Sequence, residues 1–472
     1  MAYVGYVTTL KNVRKHSNAD RLQVGECFGN QVIVSLDYKE GQMGVYFPVD
    51  GQLSERFCQV NDLVRRKDEN GNACGGYLDP DKRNIKALRL RGEQSDGLFM
   101  PLTCLADFTK ISDLKEGDTI SVLNGEEICR KYIPRRNVAR TSGKSKSGKA
   151  KANFAPTFYE HIDTAQLAYN LGQFKAGDIV ELTLKMHGTS GRTGYLPLRK
   201  WKKSWFDKLL KRQGKEYREY GYVTGTRRVV LDDTHTGGFY SDNEFRHVMA
   251  NKFEGKLHKG EVVYYEIVGF VNENTPIMGS VKNSKISDKA FTKQYGPETV
   301  WSYGCDPHGG WAETSVAPDE FNGDSEVHAP KCEVYVYRMT QVNEDGDVVE
   351  LSPDQVRMRC EQMGVKTVPV FERFIIPKTR LEIQCHEDGS ENLFNVDVDP
   401  GEYVLRKVEE YFDGPDPIGK THVREGVVAR IVNRPNIAVY KHKNFSFKVL
   451  EGIAKDEAVA PDMEEAQEET AE

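Results

Sequence analysis

Lys185 sits where a strand pattern runs into a turn, in Asp178-Ile179-Val180-Glu181-Leu182-Thr183-Leu184-Lys185-Met186-His187-Gly188-Thr189-Ser190. Val180, Leu182, Leu184 and Met186 alternate onto one face, so the two-residue period sends Lys185 to the other. Gly188 lets the backbone bend close to whatever the lysine meets. A lysine held at a strand end, away from the apolar face, is placed to act as a nucleophile. An ordinary lysine titrates near ~10.4, so its neutral amine is scarce at pH 7, a handicap of roughly 4–5 kcal/mol. Neighbouring cations or a metal would favour the neutral form. Taken singly, Lys185 reads first as an ordinary strand-edge lysine, because a short lysine-glycine match is weak.

Four downstream segments supply partners. Val262-Val263-Tyr264-Tyr265-Glu266-Ile267-Val268-Gly269 places one carboxylate near the end of an apolar strand. A buried carboxylate there is either hydrogen-bonded structure or a ligand contact. Val334-Tyr335-Val336-Tyr337-Arg338-Met339 puts two tyrosines on one strand face, as core packing or as a ring for a nucleobase. Arg424-Glu425-Gly426-Val427-Val428-Ala429-Arg430 presents Glu425 just before a strand, where hard divalent cations find carboxylate oxygen, or where a surface glutamate simply meets water. In Ala438-Val439-Tyr440-Lys441-His442-Lys443-Asn444 the two lysines alternate onto one face, and an anion between them is the natural relief of their repulsion.

These pieces need elements to hold them. A chain of 472 residues is too long for one core, so two or three domains are expected. Short alternating runs such as Leu22–Cys27, Gln31–Leu36 and Gly44–Val49 predict a small β-barrel over 1–133. Residues 134–154 are rich in Gly, Ser and Lys and read as a basic flexible linker; Gly143-Lys144-Ser145 is no phosphate loop, since no strand leads into it. Over 155–455 strands mix with a few helices. Ser352-Pro353 opens one that closes at Gly364, and Asp399-Pro400 opens another that closes at Gly414. Few βαβ units are visible, so an antiparallel α+β domain is expected rather than a doubly wound sheet. Residues 272–330 read as a surface insertion or lid.

Composition narrows the partners. The net charge is −6, but eight acids and no base fill 456–472, a composition of disordered tails, and the first 455 residues carry +2. Arg130–Lys151 and Arg199–Arg218 hold nine Lys/Arg each, which fits a polyanionic partner or a solvated surface. Nine scattered cysteines without a CxxC pair fit reduced thiols and a cytoplasmic, disulfide-free protein. No apolar run approaches the ~20 residues of a membrane span, and neither a basic region nor an apolar signal core opens the chain.

The order Lys-x-x-Gly, Arg, Glu, aromatic, Glu-Gly, Lys-x-Lys resembles the covalent nucleotidyltransferase superfamily of polynucleotide ligases and mRNA capping enzymes. Lys185-Met186-His187-Gly188-Thr189-Ser190, with histidine where DNA ligases generally carry aspartate, looks like the nucleophile motif of ATP-dependent RNA ligases with an N-terminal OB domain. Thr224-Gly225-Thr226-Arg227-Arg228-Val229 is similar to their arginine motif. His16–Leu22 and Arg89–Leu98 look like segments of OB modules of tRNA-binding proteins.

The resemblance implies an antiparallel-sheet, ATP-grasp-like nucleotidyltransferase domain behind an OB-like barrel. It also implies an ATP-dependent RNA ligase that uses Mg²⁺ or Mn²⁺ and acts as a monomer on RNA ends or a nicked duplex in RNA repair. Lys185 would form lysyl-AMP, with Lys441 and Lys443 on the α-phosphate. Arg227 and Glu266 would meet the ribose, Tyr337 the adenine, and Glu425 the metal. His187 and Gly188 would lie on the nucleotide side. Leu184 replaces the glutamate often found beside the nucleophile. The competing readings are a capping-type guanylyltransferase, a DNA ligase, or a non-catalytic RNA-binding protein on a ligase-like core. Deleting 1–130 is expected to spare adenylylation and impair sealing.

Overall fold

This computed structural model describes residues 3–133, 154–210, 214–231, 244–311, 329–385 and 391–456. The basic linker over 134–153, the acidic tail beyond 456 and the middle of the long polar segment, 312–328, lie outside them. The described residues are mostly sheet with few helices, an α+β protein. They divide into two compact units. One draws on 1–137, 281–297 and 445–461, the other on 138–280 and 298–444.

In the first unit β1 (Gly5–Thr9), β2 (Lys11–Lys15), β3 (Leu22–Cys27), β4 (Asn30–Ser35), β5 (Met43–Phe47), β6 (Leu98–Pro101) and β7 (Thr119–Ile120) follow the alternation of the sequence. They form a sheet ordered β6-β5-β1-β7 and a meander β2-β3-β4. Val7, Val45, Phe47, Phe57, Leu105 and Ile128 are its buried centre. The C-terminal helix Phe445–Asp456 belongs to this unit, with Phe447 and Leu450 fully buried. Its Lys448 Nζ lies 2.5 Å from Asp96 and its Lys455 Nζ 3.0 Å from Asp50.

The second unit has two main sheets. The first is built from β8 (Ala165–Gln166), β9 (Ile179–Lys185), β16 (Val370–Ile375), β17 (Gly426–Ile431) and β18 (Ala438–Lys443), in the order β8-β18-β17-β9-β16. The second contains β10 (Thr189–Lys202), β11 (Lys215–Gly225), β12 (Val230–Leu231), β13 (Glu261–Asn272), β14 (Cys332–Val342) and β15 (Val348–Glu350), in the order β12-β11-β10-β13-β14-β15. Pairing is antiparallel throughout except at short strands such as β8, which runs parallel to β18. Val180, Leu182 and Leu184 are buried as their spacing predicts, and the first two join Val427, Ala429 and Ile431 of β17 on the face that packs against Val404 and Val408.

The longer helices of this unit are α1 (Glu244–Asn251), α2 (Pro353–Met363) and α3 (Pro400–Glu409). In α2 the Ser352 hydroxyl accepts from the Gln355 N–H, Gln355 caps Ser352 in return, and Gly364 leaves in the left-handed region. Met249 of α1 and Val356, Cys360 and Met363 of α2 are buried in one cluster with Val263, Tyr265, Val334 and Val336 of the second sheet. Asp399 caps α3 as expected, but the helix ends at Glu409 rather than near Gly414. The Tyr411 N–H donates to the Val408 carbonyl three residues back, the tighter bond of a closing last turn. No helix among the described residues is long and apolar enough to cross a membrane.

Candidate active site

Strand register brings the lysines together. Lys185 of β9 pairs with Gly426 of β17, and Gly426 pairs on its other side with Lys443 of β18. Thr183, Val428 and Lys441 form the next row on the same face, two residues away. The central position must be glycine. A Cβ on Gly426, whose φ is +154°, would stand 2.0 Å from the His442 carbonyl oxygen.

Glu425, one residue before this row, is 2% exposed. Its Oε1 lies 2.8 Å from Lys185 Nζ and 3.4 Å from Lys443 Nζ, and its Oε2 is 3.8 Å from His187 Nδ1. A carboxylate buried this deeply needs positive partners, and two ammonium groups supply them. Its Oε2 has no hydrogen-bond partner among the described residues, which is the opening a cation or its water would fill. No cluster of three or more metal-ligating side chains exists among the described residues, so a divalent ion would rest on Glu425, water and the phosphates of a substrate.

The turn after Lys185 is held from several sides. Glu266 accepts from the Gly188 N–H at 3.1 Å and the Ser190 hydroxyl at 3.4 Å. A Cβ on Gly188 would meet the Ile267 carbonyl oxygen at 2.4 Å, so the close approach of β13 demands glycine. Arg246 of α1 donates to Thr189 Oγ1 at 2.6 Å and the Ser190 carbonyl at 3.1 Å. The His187 N–H donates to the Tyr303 hydroxyl at 2.6 Å, and its ring meets Trp301 edge-on at 4.7 Å. Trp301 and Tyr303 lie within the segment expected to be a surface insertion, yet both are buried beside the nucleophile turn. Behind them Tyr303 touches His422 at 4.6 Å, and burial pushes the Tyr303 hydroxyl and Asp416 up and His422 down.

A cavity of about 460 Å³ opens between the two sheets. Lys185, Lys441, Arg227, Glu266 and Tyr337 all line it. Arg227 sits in the turn after β11, where Thr226 closes on Val229, and forms an ion pair with Asp163. Tyr335 and Tyr337 diverge from the shared face expected of them. Between the pairs Tyr265–Val336 and Tyr264–Arg338 the register slips by one residue, leaving Tyr337 as a bulge that reaches the cavity while Tyr335 is buried near Lys366.

Other residues of the site were invisible to strand periodicity. His161 lines the cavity with its ring edge-on to Tyr337 at 5.3 Å. Burial, with help from Arg227 and Arg338, holds its pKa down at about 3, so the imidazole is neutral. Arg192 is 1% exposed and donates only to carbonyls: Thr226 at 2.9 Å, Phe158 at 3.1 Å, Arg228 at 3.3 Å and Tyr159. Its guanidinium thus ties the segment leading to His161 to the turn that carries Arg227. An arginine inside the small and apolar run Thr189–Leu196 was the one sequence signal for it, since a buried guanidinium must find partners.

A strand-end lysine thus lies on a buried carboxylate, beside a second lysine and a cavity walled by two sheets. The family model described as RNA ligase matches residues 178–450, more than half of the chain. The chain belongs to the RNA ligase family. Among solved structures it resembles Naegleria gruberi RNA ligase. A lysine-to-methionine mutant with AMP and Mn gives 16% identity and a TM-score of 0.53, over 96% of this chain and 99% of that one. A lysine-to-alanine mutant with ATP and Mn gives 15% and 0.51, over 96% and 98%. The same enzyme with PPi gives 14% and 0.50, over 94% and 97%. At such identities the likeness is one of fold. No curated protein matches the chain.

Proposed function

We propose that this RNA ligase seals RNA ends with ATP, through Lys185. The observation that carries the reading is the placement of Lys185 Nζ 2.8 Å from a buried Glu425 that Lys443 also approaches, at a cavity lined by Lys441, Arg227, Glu266 and Tyr337. In its neutral form the Lys185 amine attacks the α-phosphorus of ATP. An N–P bond forms, the bond to the bridging oxygen breaks, and pyrophosphate leaves with the electron pair. The amine proton goes to solvent. AMP then passes to the 5′-phosphate of an RNA end, and a 3′-hydroxyl displaces it to make the phosphodiester.

Phosphoryl transfer of this kind depends on position and charge rather than on acid–base chemistry. Lys441 and Lys443 share the face of Lys185 and would stabilise charge on the α-phosphate. Arg227 and Glu266 would hold the ribose, and Tyr337 with edge-on His161 would frame the adenine. His187 and Gly188 form the turn on the nucleotide side. Glu425 fits Mg²⁺ or Mn²⁺ through water, and a divalent ion there would neutralise phosphate charge. Solved relatives with ATP, AMP and Mn support the nucleotide and metal assignments.

We further propose an ATP-grasp-like nucleotidyltransferase fold for the second unit and an OB-like barrel for the first. The substrate is a broken or nicked RNA in repair, joined by a monomer in the cytoplasm. Free thiols at Cys27, Cys58, Cys104, Cys129, Cys305, Cys332 and Cys360 agree with that compartment. Incubation with α-labelled ATP and Mg²⁺ tests the reading. Acid-labile label on the protein, absent in Lys185→Ala, supports it. Label from GTP alone would mean capping chemistry, and no label would leave a binding protein. Sealing of DNA but not RNA at the 3′-hydroxyl side would make it a DNA ligase.

A further inference from the structure

The strand that carries Thr189 and Ser190 does not stop at the sheet. β10 pairs with β13 only as far as Gly194, and then runs on to Lys202 with β11 as its sole strand partner. From Ser190 at the cavity to Lys202 the strand covers roughly 40 Å. The outer end of this two-stranded ribbon has a charge pattern that the free protein does not explain. Arg199 stands directly opposite Arg218, and Lys202 directly opposite Lys215. Like charges at facing positions destabilise a sheet. Glu216 approaches Arg199 at 3.4 Å and Glu219 holds Lys200 at 2.7 Å, while Lys202, Lys203 and Lys215 have no carboxylate partner among the described residues. Tyr217 is exposed between these cations, and at the tip the rings of Trp205 and Phe206 are 3.7 Å apart and open to solvent.

We propose that this ribbon grips the phosphate backbone of the RNA substrate away from the sealed junction, an inference that rests on the ligase reading. A polyanion lying between Lys202 and Lys215 converts that repulsive pair into attractive contacts, and exposed rings offer stacking surfaces for unpaired bases. The cations decide against a membrane. Arg199 and Arg218 occupy one face of the ribbon and Lys200, Lys202 and Lys215 the other, so a flat bilayer would meet only half of them, whereas nucleic acid can pass along both.

The test uses the full-length protein and two variants, Lys202→Glu and the Lys202→Ala/Lys215→Ala double variant. Affinity is read by fluorescence anisotropy on two nicked RNA duplexes, one reaching roughly 40 Å past the nick and one roughly 10 Å. On the long duplex Kd is expected to rise about tenfold, and the slope of log K against log salt to fall by about 2 in the double variant. The short duplex should bind all three proteins alike. Self-adenylylation should be unchanged, because no residue of the ribbon touches the nucleotide. Lys202→Glu places an acid opposite Lys215, so its melting temperature should hold or rise while its RNA affinity falls. Unchanged affinity and salt slope would overturn the inference. So would vesicles of anionic phospholipid that bind the wild type, lose the variants and leave RNA binding untouched. Absent adenylylation in the wild type would sink the ligase reading instead, and RNA affinity would still decide the ribbon.

Discussion

Glu425 Oε1 faces the amines of Lys185 and Lys443 at once, so removing it leaves two cations crowded without an anion and the nucleophile without its nearest contact. Glu425→Ala is expected to lower self-adenylylation by about 10²–10³-fold, and Lys443→Ala by a similar factor, measured as label per protein at saturating ATP. Label near the wild-type level in either variant would refute these roles. Gly426 yields a different kind of prediction. A Cβ there collides with the His442 carbonyl, and the repulsion must be relieved by parting β17 from β18. Gly426→Ala should therefore cost stability as well as activity, about 1–3 kcal/mol by urea unfolding. Burial makes His161 take up its proton only at a lower pH than an ordinary histidine. Its folded pKa of about 3 lies below the ordinary value of 6.5. The unfolded chain thus binds the proton first, and stability present above pH 6.5 is lost as pH falls toward 3, by up to about 1.4 kcal/mol per unit. His161→Gln should flatten that part of the stability profile in denaturant titrations between these limits.

Between single residues and the whole chain, the elements decide how well the cavity is formed. Among the described residues the Arg192 guanidinium of β10 donates its hydrogen bonds to backbone carbonyls. Its fork joins the strand to the Phe158–Tyr159 and Thr226–Arg228 segments that wall the cavity. Lysine cannot reproduce a fork of donors, so Arg192→Lys should raise the KM for ATP about tenfold with a smaller change in kcat. Equal losses in both would show that the arginine acts on the chemical step. The bulge at Tyr337 works on the same scale, since one extra residue in the strand re-aims a ring toward the cavity while Val336 before it and Met339 after it stay buried.

For the whole molecule, the C-terminal helix changes what a truncation would mean. The sequence places Phe445–Asp456 at the end of the catalytic segment, but its Phe447 and Leu450 are buried within the first unit, and Lys448 and Lys455 meet Asp96 and Asp50 there. Deleting residues 1–130 would expose that apolar face and take Asp96 from Lys448 and Asp50 from Lys455. We now expect the truncated protein to lose solubility and melting temperature, measured by sedimentation and thermal unfolding, so that loss of labelling in it would not report on catalysis. Substitutions confined to exposed residues of the first unit are the cleaner test of its part in sealing.

Local pattern was enough to expose the strand of Lys185, its alternation, both helix caps and the order of the motif segments, because periodicity and capping act over a few residues. The same holds for the pairing of Lys441 with Lys443 on one face. Which partners those side chains meet was decided only when distant strands came into register. Lys185 joins the row of Gly426 and Lys443 through a pairing with Gly426 about 240 residues away in sequence, and no local pattern encodes such a register. The burial of Trp301 and Tyr303, the bulge at Tyr337, the carbonyl clamp of Arg192 and the facing cations of the ribbon are likewise products of tertiary packing, where a side chain's role depends on neighbours the chain does not supply nearby.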